Sequence, residues 1–159
     1  MNEFLGAAPQ AEIAHNFIGC LVSLNEMADR PPRAMADDET IKLGAMSVRS
    51  IDTPHVPHGW EARVLFEETT GTLLCGDLFT ALGNGPALTE GDVVGPAVEA
   101  EDLFGYSCLN PTTPTTIGAL AALQPKTLAT MHGSSFSGDC ARALRDLAAD
   151  YQRRIDAAR

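Results

Sequence analysis

The sequence has no pair of cysteines at C-x-x-C spacing: Cys20, Cys75, Cys108 and Cys140 are scattered through 159 residues. That scatter argues against a disulfide framework and against a four-cysteine zinc site, and favours reduced thiols that pack as small apolar side chains. Long apolar runs are missing too, none approaching the ~20 residues that a membrane-crossing helix needs. The opening stretch, Met1 to Glu12, carries neither a basic cluster nor an apolar segment, so it does not read as a secretion signal, and a cytoplasmic protein is expected. Basic residues are scarce, 11 against 21 acidic ones. The formal charge of −10 and a pI near 4.6 oppose a broad electrostatic grip on nucleic acid or on an anionic membrane surface.

What is present is an ordinary 45% of hydrophobic residues in a length suited to a single domain, taken as 1–159. Strand and helix signals alternate without a long linker. Residues 2–8 read as a helix closed by Pro9, 11–14 as a short strand and 18–28 as a helix, followed by a polar turn region over 29–39. Strands are expected at 40–43 and 46–52 around Gly44. A hairpin is expected from 63–66 and 72–76, turned by Glu67-Glu68-Thr69-Thr70-Gly71. The Gly- and Pro-rich stretch 78–96 reads as irregular, 98–106 and 115–123 as helices, and 127–131 as a strand. Asp139 is placed to cap a last helix with an apolar stripe of Leu144, Leu147, Ala148, Tyr151 and Ile155. Arg142, Arg145, Asp146, Asp150, Arg153 and Arg154 fall on its other face. This order fits a layered α/β or α+β domain.

Candidate chemistry sits at strand ends. His55 and His58 lie in Thr53-Pro54-His55-Val56-Pro57-His58-Gly59-Trp60, directly after a strand, in a loop stiffened by two prolines. Taken alone, this segment reads better as a proline-rich surface turn with exposed histidines than as a metal site. Asp77 follows the strand that ends in Leu73-Leu74-Cys75-Gly76. Alternation places Leu73, Cys75 and Asp77 on one face, so a carboxylate stands where an apolar face stops, and it needs a partner or a cation there. His132 leaves the strand at 127–131 in the same way. Three strands therefore each end in a residue able to bind a metal. His15 has no acid near it in sequence and suits a surface or packing role. The segment Gly133-Ser134-Ser135-Phe136-Ser137-Gly138 reads as a loop leading into the last helix, with Ser134 or Ser135 open to substrate contact. Trp60, the single tryptophan, is expected in the core unless it walls the site.

These segments, Thr53 to Trp60, Leu73 to Asp77 and Met131-His132-Gly133, resemble the later motifs of the metallo-β-lactamase fold superfamily, with spacing nearest its flavodiiron and oxygen-binding diiron branch. The resemblance runs from Asn2 to about Ile155. It implies an αββα sandwich and a dinuclear metal centre with His58 as the first histidine, His55 being an alternative to it. Asp77 is then the bridging carboxylate, holding the two ions and helping to orient an activated water, and His132 the last histidine. The implied cofactor is a pair of divalent ions, zinc or iron. The implied work is hydrolysis of a small-molecule ester, amide or thioester, or iron chemistry with O2 or NO. The family's opening motif, H-x-[HE]-x-D, does not occur in this sequence. A partial sandwich lacking its first strands is therefore expected, with two protein ligands per ion and weak or no activity. The expected partner is a second copy or another chain covering the incomplete sheet; a non-catalytic interaction module is the third reading.

Overall fold

A computed structural model of the chain describes residues 1–158. The N-terminal third is small in scale. Helix α1 (Asn2–Ala7) precedes strand β1 (Ala14–Asn16), and a helical stretch follows as α2 (Phe17–Gly19), a π-helical turn (Cys20–Leu24) and α3 (Asn25–Met27). Asn16 starts that stretch with its side chain accepting from the Gly19 amide at 2.8 Å. Residues 29–39, expected as turn alone, contain β2 (Arg33–Met35), which pairs in parallel with β1. The strand expected at 11–14 lies later, because Asn16 both ends β1 and caps the helix. Cys20 is buried, and its thiol lies 3.5 Å from the Arg33 carbonyl. His15 packs against Gly19, as a packing role requires.

The remaining strands build a seven-stranded mixed sheet. Its antiparallel meander consists of β3 (Thr40–Leu43), β4 (Met46–Asp52), β5 (Arg63–Glu67) and β6 (Thr72–Leu74). The stretch 78–96 is largely irregular but yields a two-residue strand β7 (Leu88–Thr89). It also releases helix α4 (Val94–Phe104) earlier than expected, because the Asp92 carboxylate accepts from the Val94 and Gly95 amides. Helix α5 (Thr113–Ala122), strand β8 (Thr127–Ala129), strand β9 (Ser135–Phe136) and helix α6 (Cys140–Ala157) follow. The sheet order is β3-β4-β5-β6-β8-β9-β7, with β8 parallel to β6.

Period-2 alternation decides which face is buried. Val64 and Phe66 of β5 join Leu73 and Leu128 in a core closed by Ile117 and Leu120 of α5 and by Leu144, Leu147 and Tyr151 of α6. Each fully buried leucine contributes ~1.5–3 kcal/mol. The stripe read from the sequence is the one buried, and Asp139 caps α6 through the Arg142 amide at 2.9 Å. Asp150 departs from expectation. It is buried, held by Arg153 at 2.7 Å and Arg154 at 2.6 Å, because Arg154 reaches across to Asp102 and the Val98 carbonyl of α4 and draws the carboxylate inward. On the opposite face of the sheet, toward β1 and β2, Ile41, Val48, Ser50, Arg63 and Leu65 line a cavity of about 320 Å³ with Ala14, His15 and Met35. The result is a mixed α/β sandwich. Among the described residues no helix is long and apolar enough to cross a membrane.

Candidate metal centre

Three backbone exits bring three side chains together. The loop after β4 is pinned before His58 is reached. The Val56 amide donates to the Thr53 carbonyl at 2.8 Å, the Thr53 hydroxyl donates back to the Val56 carbonyl at 3.0 Å, and the His55 amide reaches the Gly59 carbonyl at 2.7 Å. Thr53 and Val56 are buried, and Gly59 turns the chain at φ +80°. From the far side, the Cys108 amide donates to the Pro57 carbonyl at 2.6 Å. Two prolines and these bonds leave His58 projecting from a fixed base.

Asp77 emerges after β6 by a different device. The Cys75 amide continues the pairing with Ala129, Gly76 turns at φ +57°, and the Asp77 carbonyl then collects three donors. They are the Thr80 hydroxyl at 2.7 Å, the Thr80 amide at 3.2 Å and the Tyr106 hydroxyl at 3.3 Å. His132 leaves β8 beside it. The Met131 amide donates to the Gly76 carbonyl, the Ala81 amide donates to the His132 carbonyl, and Gly133 takes φ +98° at a point where a Cβ would stand 2.9 Å from the Ala81 methyl.

The Asp77 carboxylate faces both imidazoles. Its Oδ2 lies 2.9 Å from His58 Nε2, and its Oδ1 lies 3.4 Å from His132 Nε2. The three share a cavity of about 190 Å³ with Thr80, Phe104 and Tyr106. Both histidine side chains are more than half exposed, at 55% and 58%, against 27% for Asp77, so the site opens to solvent on the imidazole side. Burial pushes the Tyr106 phenol up, so it stays a donor at neutral pH.

This donor set can be tested against a metal. Imidazole nitrogen and carboxylate oxygen bind zinc at ~2.0–2.2 Å, and two such ligands on one ion then stand ~2.9–3.5 Å apart for ligand angles between ~90° and ~110°. The distances of 2.9 and 3.4 Å are compatible with that spacing on both sides of the carboxylate, the shorter being a direct hydrogen bond between His58 and Asp77. The carboxylate and one imidazole give two donors on each side. Among the described residues no three His, Cys, Asp or Glu side chains converge on one ion.

His55 is exposed and lies outside this cavity, whereas His58 lines it. Trp60 is 53% exposed and is neither core nor part of the cavity wall; Gly59 and the turn that follows direct it outward. Cys108 is exposed, unlike the other three cysteines, because the loop that supplies its amide to Pro57 runs over the surface. Ser134 lines a neighbouring cavity with Phe79 and Gly133, and Ser135 belongs to β9, so the loop leads into a strand before the helix. Sequence reasoning missed Thr80, Phe104 and Tyr106. Thr80 had a signal, a hydroxyl three residues after an aspartate at a turn. The aromatic pair had none, since it arrives from the end of α4.

These layers and this sheet define the class: the chain has the metallo-β-lactamase fold, in part. It resembles a flavodiiron core from Synechocystis sp. PCC6803 at 23% identity and TM-score 0.70, matching 98% of this chain and 39% of that one. It likewise resembles the rubredoxin oxygen:oxidoreductase of Desulfovibrio gigas at 15% identity and TM-score 0.70, over 94% of this chain and 40% of that one. A metallo-β-lactamase family protein from Thermus thermophilus matches 82% of this chain at 20% identity and TM-score 0.53, with 38% of its own length covered. The chain thus spans about two fifths of each of these proteins. No family model and no curated relative matches the sequence.

Proposed function

We propose that this chain is a metal-binding domain of metallo-β-lactamase type in which Asp77, with His58 on one side and His132 on the other, would hold a pair of divalent ions, zinc or iron. The supporting observation is the shared carboxylate, one oxygen to each imidazole at 2.9 and 3.4 Å. Bound there, the ions would supply Lewis acidity toward a small-molecule substrate or, as iron, electron transfer with an oxidant. Asp77 carries the only carboxylate among the described residues of the cavity wall and offsets the positive charge. The loops of His58 and His132 hold the imidazoles on opposite sides of it, and Phe104 gives the cavity an apolar flank. Two protein donors per ion fall short of the three usual in catalytic zinc sites, so the chain by itself binds metal weakly and turns substrate over slowly or not at all.

Calorimetric titration with Zn²⁺, and with Fe²⁺ under argon, tests the site. Two ions per chain are expected, with one lost in His58→Ala, one in His132→Ala and both in Asp77→Asn. Unchanged uptake in all three variants rejects it. A hydrolase-like role and a redox role share these ligands. The redox reading draws support from the flavodiiron likenesses and from the cavity wall, where the two non-ligand hydroxyls, Thr80 at 2.7 Å and Tyr106 at a longer 3.3 Å, are turned toward the Asp77 carbonyl. Oxygen uptake by the iron-loaded protein against ester cleavage by the zinc-loaded one separates the two. We also propose that a second copy or another chain covers the two-stranded β1–β2 sheet, whose outer edges are unpaired among the described residues. A metal-free monomer in light scattering at high concentration counts against that partner.

A further inference from the structure

Asp77 can present one oxygen to each histidine only if the peptide that carries it is fixed. Two of the three donors to its carbonyl come from Thr80, three residues on, and would move with the same turn. The third, the Tyr106 hydroxyl, comes from 29 residues away, just past the left-handed Gly105 that ends α4. It is the one of the three that ties the strand exit to the helical layer. Tyr106 is itself seated on that layer. The neighbouring Ser107 donates its hydroxyl to the fully buried Tyr151 of α6 at 3.0 Å, and the Ser107 amide donates to the buried Glu101 carboxylate at 3.2 Å. The phenol thus transmits the position of a rigid core helix to the loop that carries Asp77.

We propose that Tyr106 is a positioning residue of the metal centre, its hydroxyl latching the Asp77 carbonyl so that the carboxylate stays divided between His58 and His132. The proposal deepens the reading of Asp77 as a shared ligand and rests on it. Partners that orient a ligand typically change metal affinity ~10–100-fold when removed. Tyr106 acts through the backbone, so an effect near the lower end, about tenfold, is expected.

The test compares the full chain with Tyr106→Phe, which removes one oxygen and keeps the ring, and with Thr80→Ser and Thr80→Val. Two readouts are taken: Zn²⁺ affinity by calorimetry, and the imidazole ¹⁵N signals of His58 and His132 in the metal-free protein. Tyr106→Phe is expected to weaken Zn²⁺ binding about tenfold, shift both imidazole signals and leave the melting temperature close to the parent's. Thr80→Val, whose lost hydroxyl moves with the same turn, should have a smaller effect than Tyr106→Phe, and Thr80→Ser should match the parent. A Tyr106→Phe protein with parental Zn²⁺ affinity and parental imidazole signals overturns the proposal. A melting temperature that falls with both readouts unmoved overturns it as well, since Tyr106 would then be structural only. If the parent takes up no Zn²⁺, the metal reading fails by itself, while the imidazole signals still decide whether the latch sets the His–Asp–His geometry.

Discussion

Gly133 and Gly76 provide a matched pair for measuring how tightly the loops behind the site are packed. Both hold positive φ, +98° and +57°, and each sits next to a candidate ligand. An alanine at either position pays for left-handed backbone, ~1–2 kcal/mol. They differ in what the new methyl group meets. At Gly76 there is nothing within 4 Å, whereas at Gly133 it would stand 2.9 Å from Ala81 Cβ and 3.4 Å from the Ala81 amide nitrogen and carbonyl oxygen. Overpacking, chiefly against the Ala81 methyl, adds ~1–3 kcal/mol. Gly133→Ala should therefore cost ~2–5 kcal/mol in urea denaturation followed by circular dichroism, against ~1–2 kcal/mol for Gly76→Ala. The contact also has a direction. The Ala81 amide is bonded to the His132 carbonyl, so pushing Ala81 away drags His132 from Asp77 and lowers Zn²⁺ uptake. Ala81→Gly in the Gly133→Ala background removes the colliding methyl and should recover the overpacking part, measured as a coupling in a double-mutant cycle. Equal costs for the two single variants, or zero coupling, would refute the close-packing argument.

Three other sites yield predictions of stability. Glu67 caps the β5–β6 hairpin: hydrogen bonds from the Thr69 and Thr70 groups hold its carboxyl down to about 2 from an ordinary 4.5. A lowered pKa contributes stability above the unfolded value and loses it as pH falls through the folded one. The melting-temperature gap between the parent and Glu67→Gln should therefore be full at about pH 6 and close toward about pH 2; a gap constant with pH refutes it. Ser50 is 1% exposed and its hydroxyl has no partner among the described residues, so Ser50→Ala should stabilise by about 1 kcal/mol in the same denaturation assay, and a loss of stability would count against an unpaired hydroxyl. Asp150→Asn strips the carboxylate from Arg153 and Arg154 and should cost about 1–3 kcal/mol, less than a fully buried pair because Arg153 is open to solvent; no measurable change would show that the pair is ornamental.

Local patterns carried much of the architecture because they depend on neighbours in sequence. The β3–β4–β5–β6 meander follows from alternation punctuated by Gly44 and Gly71, and α6 follows from its stripe and the Asp139 cap. The short strands β2, β7 and β9 were not legible. Two or three residues hold no period, and they are strands only because a distant chain segment supplies their hydrogen bonds. Asp150 misled for a related reason: its helical face is polar by composition, and burial comes from Arg154 reaching α4. The three candidate ligands could be read because each stands at the end of its own strand signal. Their supports, Tyr106 above all, could not, since nothing in the order of residues says that the end of α4 returns to β6.

The distribution of rigidity bears on what the site can do. Its histidine side chains are more than half exposed, yet the backbone under them is tied at each carbonyl that matters: Pro57 by Cys108, Asp77 by Thr80 and Tyr106, His132 by Ala81. A surface cluster of charge has no need of such ties, because exposed ion pairs contribute little and form from mobile side chains. Preorganised ligands do need them, since a donor held in place does not have to be ordered when a cation arrives. The ligand types select neither zinc nor iron, both of which accept imidazole and carboxylate. Any selection between them would come from the rest of the cavity wall, which offers an aromatic flank in Phe104 and the hydroxyls of Thr80 and Tyr106 turned toward the Asp77 carbonyl.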